Sequence, residues 1–134
     1  MTNAKRWRVV HVVLTVLFLL TAVLNLNHIR AGFLTNHLAD LVVPAWMYVV
    51  ARAPYDANKR KTLLQWSLGR SPEFAAGSLF IASALSEVSQ YYWPTGLFRG
   101  RFDPLDILAY AVGLVAVYVA DKRSGTPPAV PPTR

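Results

Sequence analysis

The sequence predicts an all-α integral membrane protein, a bundle of about four transmembrane helices. Three observations lead there. The apolar residues form long blocks separated by short polar segments, the pattern a bilayer imposes because backbone polar groups inside it need internal partners. Hydrophobic residues make up 54% of the 134-residue chain and charged residues only 16%, too little charge for an ordinary soluble domain. The basic residues sit beside the apolar blocks and are unequally shared between the two sides of the proposed bundle.

The first helix is expected over about 9–26, after Lys5, Arg6 and Arg8. A basic start and apolar middle also describe a signal peptide. Asn25-Leu26-Asn27-His28 offers no small-residue cleavage site, however, and the block is long enough to span, so a retained helix is expected. The second, about 38–53, is short and contains Pro44; the carbonyl that Pro44 frees is tolerable where neighbouring helices satisfy it. The third, about 72–92, starts at Pro72, a favourable first helical position, and ends at Trp93-Pro94-Thr95-Gly96. The fourth is expected over about 104–120. Residues 1–123 thus form one transmembrane domain, and 124–134, rich in Gly and Pro, are expected to be a disordered cytoplasmic tail.

Orientation follows from the basic residues. With the N-terminus inside, Lys5, Arg6, Arg8, Arg52, Lys59, Arg60, Lys61, Arg70, Lys122, Arg123 and Arg134 are cytoplasmic, against Arg30, Arg99 and Arg101 outside. This 11 to 3 split predicts a multi-pass protein of the inner (cytoplasmic) membrane with both termini cytoplasmic. It also accounts for the net charge of +7 without nucleic acid. The segment Lys59 to Leu68 mixes basic residues with leucines and Trp66. It reads equally as a short helix on the anionic inner leaflet or as a basic topology-setting loop. Trp7 and Trp66 inside, and Tyr91, Tyr92 and Trp93 outside, read as interfacial anchors.

With no cysteine, a disulfide framework, a thiolate metal site and a thiol nucleophile are excluded. Three acidic residues, Asp56, Glu73 and Asp121, are expected as solvated charges on the inner side. The other four, Asp40, Glu87, Asp103 and Asp106, fall in or beside helices two, three and four, where an ionisable group is expensive and is paired or functional. Glu87 lies about 22 Å along its helix from Pro72 at 1.5 Å per residue. It therefore shares the outer layer with Asp40, Asp103 and Asp106, and with Arg30, Arg99, Arg101, His28 and His37. Glu87 and Gln90 share a helix face, with Ser83 one turn below. Asp103, Asp106, Tyr110, Gly113 and Val117 form one stripe on the fourth helix, where Gly113 permits close approach of another helix and Asp103 can cap the first turn.

This cluster has three readings: a salt-bridged clamp of Glu87, Asp103 and Asp106 on Arg99 and Arg101; an outward polar pocket for a lipid headgroup or another envelope molecule; or a metal site from Asp40, Glu87, Asp106 and a histidine. The spacing matches no specific metal motif, so no metal and no cofactor are expected. No phosphate loop, nucleophile elbow or paired-histidine motif is present. No catalytic residue is therefore assigned, and an enzyme or a transporter is the weakest alternative.

Glu87-Val88-Ser89-Gln90, followed by Arg101-Phe102-Asp103-Pro104-Leu105-Asp106 and running on through Tyr110 to Gly113, resembles the signature of VanZ-like membrane proteins. That signature is a Glu and a Gln on one helix, a loop Arg, and an Asp-led helix with a small polar residue and Gly. The resemblance covers mainly the C-terminal half. Tyr110 stands where VanZ-like proteins carry Asn. A related, uncharacterised family of four-helix membrane proteins carries Tyr there and a Gly-Asp pair early in its second helix, which Ala39-Asp40 resembles. The resemblance implies an envelope protein linked to lowered susceptibility to lipoglycopeptide antibiotics. The binding residues it singles out are Asp40, Glu87, Gln90, Arg101, Asp103, Asp106 and Tyr110. Membrane lipids are the expected partners, with a larger membrane complex or a homo-oligomer as the setting if the chain is instead a non-catalytic structural or accessory subunit.

Overall fold

The structure, a computed structural model, describes residues 2–29, 32–52, 62–95 and 100–125. Every regular element among them is helical: α1 (Asn3–Leu26), α2 (Phe33–Arg52), α3 (Leu63–Leu68), α4 (Pro72–Tyr92) and α5 (Pro104–Ser124). Two of these, α1 and α5, are long and apolar enough to cross a membrane.

Local chemistry sets the boundaries. Thr2 caps α1 by accepting from the Lys5 amide, so the helix starts before its apolar block and carries Lys5, Arg6 and Arg8 within it. Ser71 caps α4 and Pro72 opens it, as the sequence predicts. Asp103 caps α5 through the Leu105 amide; the helix runs to Ser124, four residues beyond the expected end, and Gly125 closes it in a left-handed conformation. Within the segment read as a surface helix or a basic loop, Leu63–Leu68 is helical. Thr62 and Gln65 form a reciprocal capping box at its start. Lys59, Arg60 and Lys61 lie outside the described residues, as do Asp56, Arg30, Arg99 and the tail from residue 126.

The four long helices alternate in direction. The His37–Asp106 and Arg52–Asp121 contacts join the starts and the ends of α2 and α5, so these two run parallel. Tyr110 meets Glu87 and Lys122 meets Glu73, so α4 runs opposite to α5. Asn3 donates to the Ser124 carbonyl and Asn25 shares a cleft with His37, which sets α1 opposite to α2. One end of the bundle therefore gathers the start of α1, the end of α2, α3, the start of α4 and the end of α5.

The helix α2 is central and packs on α1, α4 and α5. Trp46 donates to Thr15 Oγ1 at 3.0 Å and stacks on Phe18, fixing α1 against α2. The core comprises Trp7, Ala45, Tyr48, Val49, Ala75, Leu79, Leu114 and Val117. The apolar face of α1, from Val9 to Leu26, stays exposed. Gly113 sets the α2–α5 distance: a Cβ there would collide with the Leu41 carbonyl oxygen.

Two expectations fail here. Asp121 is not a solvated charge: it is 1% exposed and accepts from Arg52 Nε and the Tyr48 hydroxyl, each at 2.8 Å. Its partner Arg52, at the end of α2, is also buried, and its Nη1 donates to the Gly69 carbonyl at 2.9 Å. The reason is register. Arg52 still belongs to α2 and Asp121 to α5, so the parallel packing of these helices brings the two charges together. Trp7, expected at the interface, is likewise enclosed in the core because α1 begins early enough to pack it. Glu73 is exposed, as expected, though it pairs with Lys122 at 2.7 Å.

Removing one partner of a buried pair strands the other charge, at a cost of about 3–5 kcal/mol. Asp121→Leu should therefore lower the thermal unfolding temperature in detergent strongly, and Arg52→Met combined with Asp121→Leu should recover most of the loss. A single Asp121→Leu variant that melts like the parent would refute this role.

Candidate functional site

At the opposite end of the bundle lies an open cleft of about 650 Å³. Its polar walls come from α2 (His37 and Asp40), α4 (Glu87 and Gln90), the α4–α5 connection (Arg101 and Asp103) and α5 (Asp106). Each helix delivers its residues for a sequence-legible reason. Glu87 and Gln90 are one turn apart on α4, and Asp106 lies in the first turn of α5, where a carboxylate complements the helix dipole.

Glu87 is the most enclosed of the group, 2% exposed. Its Oε1 accepts from the Tyr110 hydroxyl at 2.9 Å and from Gln90 Nε2 at 3.2 Å, and its Oε2 accepts from the Asp103 amide at 3.4 Å. Three donors thus satisfy a buried carboxylate that would otherwise be costly. His37 Nδ1 is hydrogen-bonded to Asp106 Oδ1, linking α2 to α5. Asp40 stands beside Tyr110 and Asp106. The connection passes close to α4: a Cβ at Gly100 would strike the Gln90 side-chain amide, and Phe102 packs edge-on against Tyr91 at 5.8 Å.

Six of the seven predicted residues, Asp40, Glu87, Gln90, Arg101, Asp103 and Asp106, line this cleft, and Tyr110 lies buried beneath it. The Glu87–Arg101 pair of the clamp reading is not formed. Arg101 is exposed at the rim, and the donors to Glu87 are a hydroxyl, an amide side chain and a backbone N–H. Those neutral donors suffice because the α5 stripe carries Tyr110 directly under Glu87. The sequence did not single out Asn25, which enters the wall from the end of α1, nor the pairing of His37 with Asp106. The spacing of His37 from the other α2 residue in the cleft, Asp40, is one helical turn, a signal that was available.

His37, Asp103 and Asp106 each offer one ligand atom within 4.8 Å of the others. An imidazole and two carboxylates are suitable donors for a divalent ion, so this corner is where a metal would be held; it shares Asp106 and a histidine with the set suggested by the sequence and has Asp103 in place of Asp40 and Glu87. The arrangement suits recognition of a polar group entering from the end of the bundle. No family model, no curated protein and no solved structure matches this chain.

Tyr110→Phe preserves the ring and removes one donor to a buried carboxylate, a change that costs about 1–3 kcal/mol. The expected outcome is a lower unfolding temperature with the helical circular dichroism signal unchanged. Equal unfolding temperatures for parent and variant would show that this bond does not hold α4 to α5.

Proposed function

We propose that the chain is a VanZ-like envelope protein of a bacterial inner membrane whose cleft faces outward and binds a lipid headgroup or a cell-wall intermediate. The observation that carries this reading is the open cleft in which Glu87, Gln90 and Asp106 converge from different helices. A clamp alone needs no opening of about 650 Å³. By the resemblance, occupancy of the cleft would bear on the action of lipoglycopeptide antibiotics.

Four spans are the natural membrane arrangement. α2, α4 and α5 have 20, 21 and 21 residues, about 30 Å each at 1.5 Å per residue, and α1 is longer. That matches the thickness of the hydrocarbon layer. Their alternating directions put the start of α1 and the end of α5 together, with Arg70, Lys122 and Arg123 at the same end. Excess positive charge there supports a cytoplasmic placement for both termini, and the acidic cleft then opens to the outside.

The second reading, an accessory subunit of a larger membrane complex, draws on the exposed apolar face of α1 and on the complete pairing of Glu87. Glu87→Gln separates the two. Under the binding reading the variant should lose the lipid or intermediate that co-purifies in native membrane discs by more than its fall in unfolding temperature accounts for. Under the accessory reading stability should fall, and any functional loss should follow it.

Topology is tested separately. Reporter fusions after Gly125 should report the cytoplasm and fusions after Thr95 the outside; a periplasmic signal from the former would overturn the even number of spans.

A further inference from the structure

A second cavity adjoins the cleft. It is a groove of about 180 Å³ between α2 and α5, walled by Leu38, Leu41, Leu105, Leu108, Ala109 and Val112, with His37 at its head. His37 also lines the polar cleft, so the two cavities meet at that side chain. From Leu105 to Val112 the groove follows α5 for about 10 Å at 1.5 Å per residue. Leu108 and Val112 are exposed at 58% and 53%, so the groove lies open along the flank of the bundle. A charged chamber at the helix ends beside an aliphatic groove along the helix axis, with His37 in the wall of both, has the form of an amphiphile in a membrane, head outward and chain inward.

The charges in the chamber select the head. Among its described lining residues, Asp40, Glu87, Asp103 and Asp106 face one guanidinium, Arg101. Glu87 is already engaged by Tyr110, Gln90 and the Asp103 amide; Asp106 is hydrogen-bonded to His37 through one oxygen and Asp103 accepts from the Leu105 amide through one of its own, so the acidic surface is Asp40 together with the remaining oxygens of Asp103 and Asp106. A bare phosphate would enter against these carboxylates, and at an effective dielectric below that of water the repulsion is not screened away. An ammonium is complementary to them and forms charge-assisted hydrogen bonds. Arg101, exposed at the rim, is placed to meet an adjoining phosphate.

We infer that the ligand is an aminophospholipid, with its primary ammonium among Asp40, Asp103 and Asp106, its phosphate toward Arg101, and one acyl chain against the α2–α5 groove. This inference rests on the headgroup-binding reading of the cleft and names the class of headgroup.

The test uses the full chain in detergent, titrated with phosphatidylethanolamine and with phosphatidylglycerol of identical acyl chains, and read by native mass spectrometry. The ethanolamine lipid should be retained about tenfold better than the glycerol lipid, and Asp40→Asn should reduce its retention about tenfold, the loss of one charge-assisted hydrogen bond. Leu108→Trp fills the groove from an exposed position that leaves the core intact, and it should weaken retention of the ethanolamine lipid while leaving the unfolding temperature unchanged. If Asp40→Asn does not fold, the lipid preference of the parent and the effect of Leu108→Trp still decide the matter. Equal or better retention of phosphatidylglycerol would overturn the amine assignment and leave the headgroup reading standing. Retention indifferent to Leu108→Trp would overturn the placement of the chain. Retention of neither lipid would remove the headgroup reading, and this inference with it.

Discussion

The backbone contact between α2 and α5 at Gly113 governs the rest of the molecule. With hydrogen in place of a side chain, α5 approaches until position 113 meets the Leu41 carbonyl. Any larger residue would hold the helices apart by the width of a methyl group, and the polar contacts at both ends of the seam would lengthen together. Those contacts are in register. His37 meets Asp106 and Arg52 meets Asp121, each pair fifteen residues along its own helix from the other, or about 22 Å at 1.5 Å per residue. Equal intervals on parallel helices need no slip between them. Close approach in the middle and polar pins at the ends therefore reinforce one another, and α4 is tied to the same frame through Glu87 and Tyr110.

Much of this was legible in the sequence because polar residues are conspicuous among long apolar blocks. The bounds of α4 follow from Ser71-Pro72 at one end and Trp93-Pro94 at the other. The cleft follows from helical spacing: Glu87 with Gln90 on one helix, and Asp106, Tyr110 and Gly113 on another. The Arg52–Asp121 pair was hidden because charges at helix ends look alike whether they set topology or are buried. Asp121 beside Lys122 and Arg123 reads as part of a solvated cluster. A clue was nevertheless present. The stripe Asp106, Tyr110, Gly113, Val117 continues by one further step of four to Asp121, on the face that packs against α2. Trp7 was misplaced for a related reason: basic residues on either side marked it as interfacial, whereas Thr2 starts the helix early enough to turn it into the core. Arg101 was misjudged through charge arithmetic alone, since hydroxyl, amide and backbone donors complete Glu87 without a cation.

The two ends of the α2–α5 seam differ in a way that separates holding from binding. At the Arg52 end one guanidinium meets one carboxylate, with Tyr48 and the Gly69 carbonyl as further partners, and the side chains are enclosed. Charge is balanced and both side chains are buried, so the arrangement fixes the helices. At the Asp106 end α2, α4 and α5 line an open cleft, and the described carboxylates there outnumber the guanidinium. A protein that needed only a second fastening could have repeated the first. An open, acidic chamber carries an electrostatic cost in a low-dielectric setting, and that cost is lowered when a cationic group of complementary shape enters. The groove that meets the chamber at His37 makes the same distinction in apolar terms, because aliphatic side chains left unpacked between two helices lose contact that an acyl chain can restore. The enclosed pair thus accounts for the assembly of the helices, and the imbalance at the other end is the feature from which the proposed ligand is reasoned.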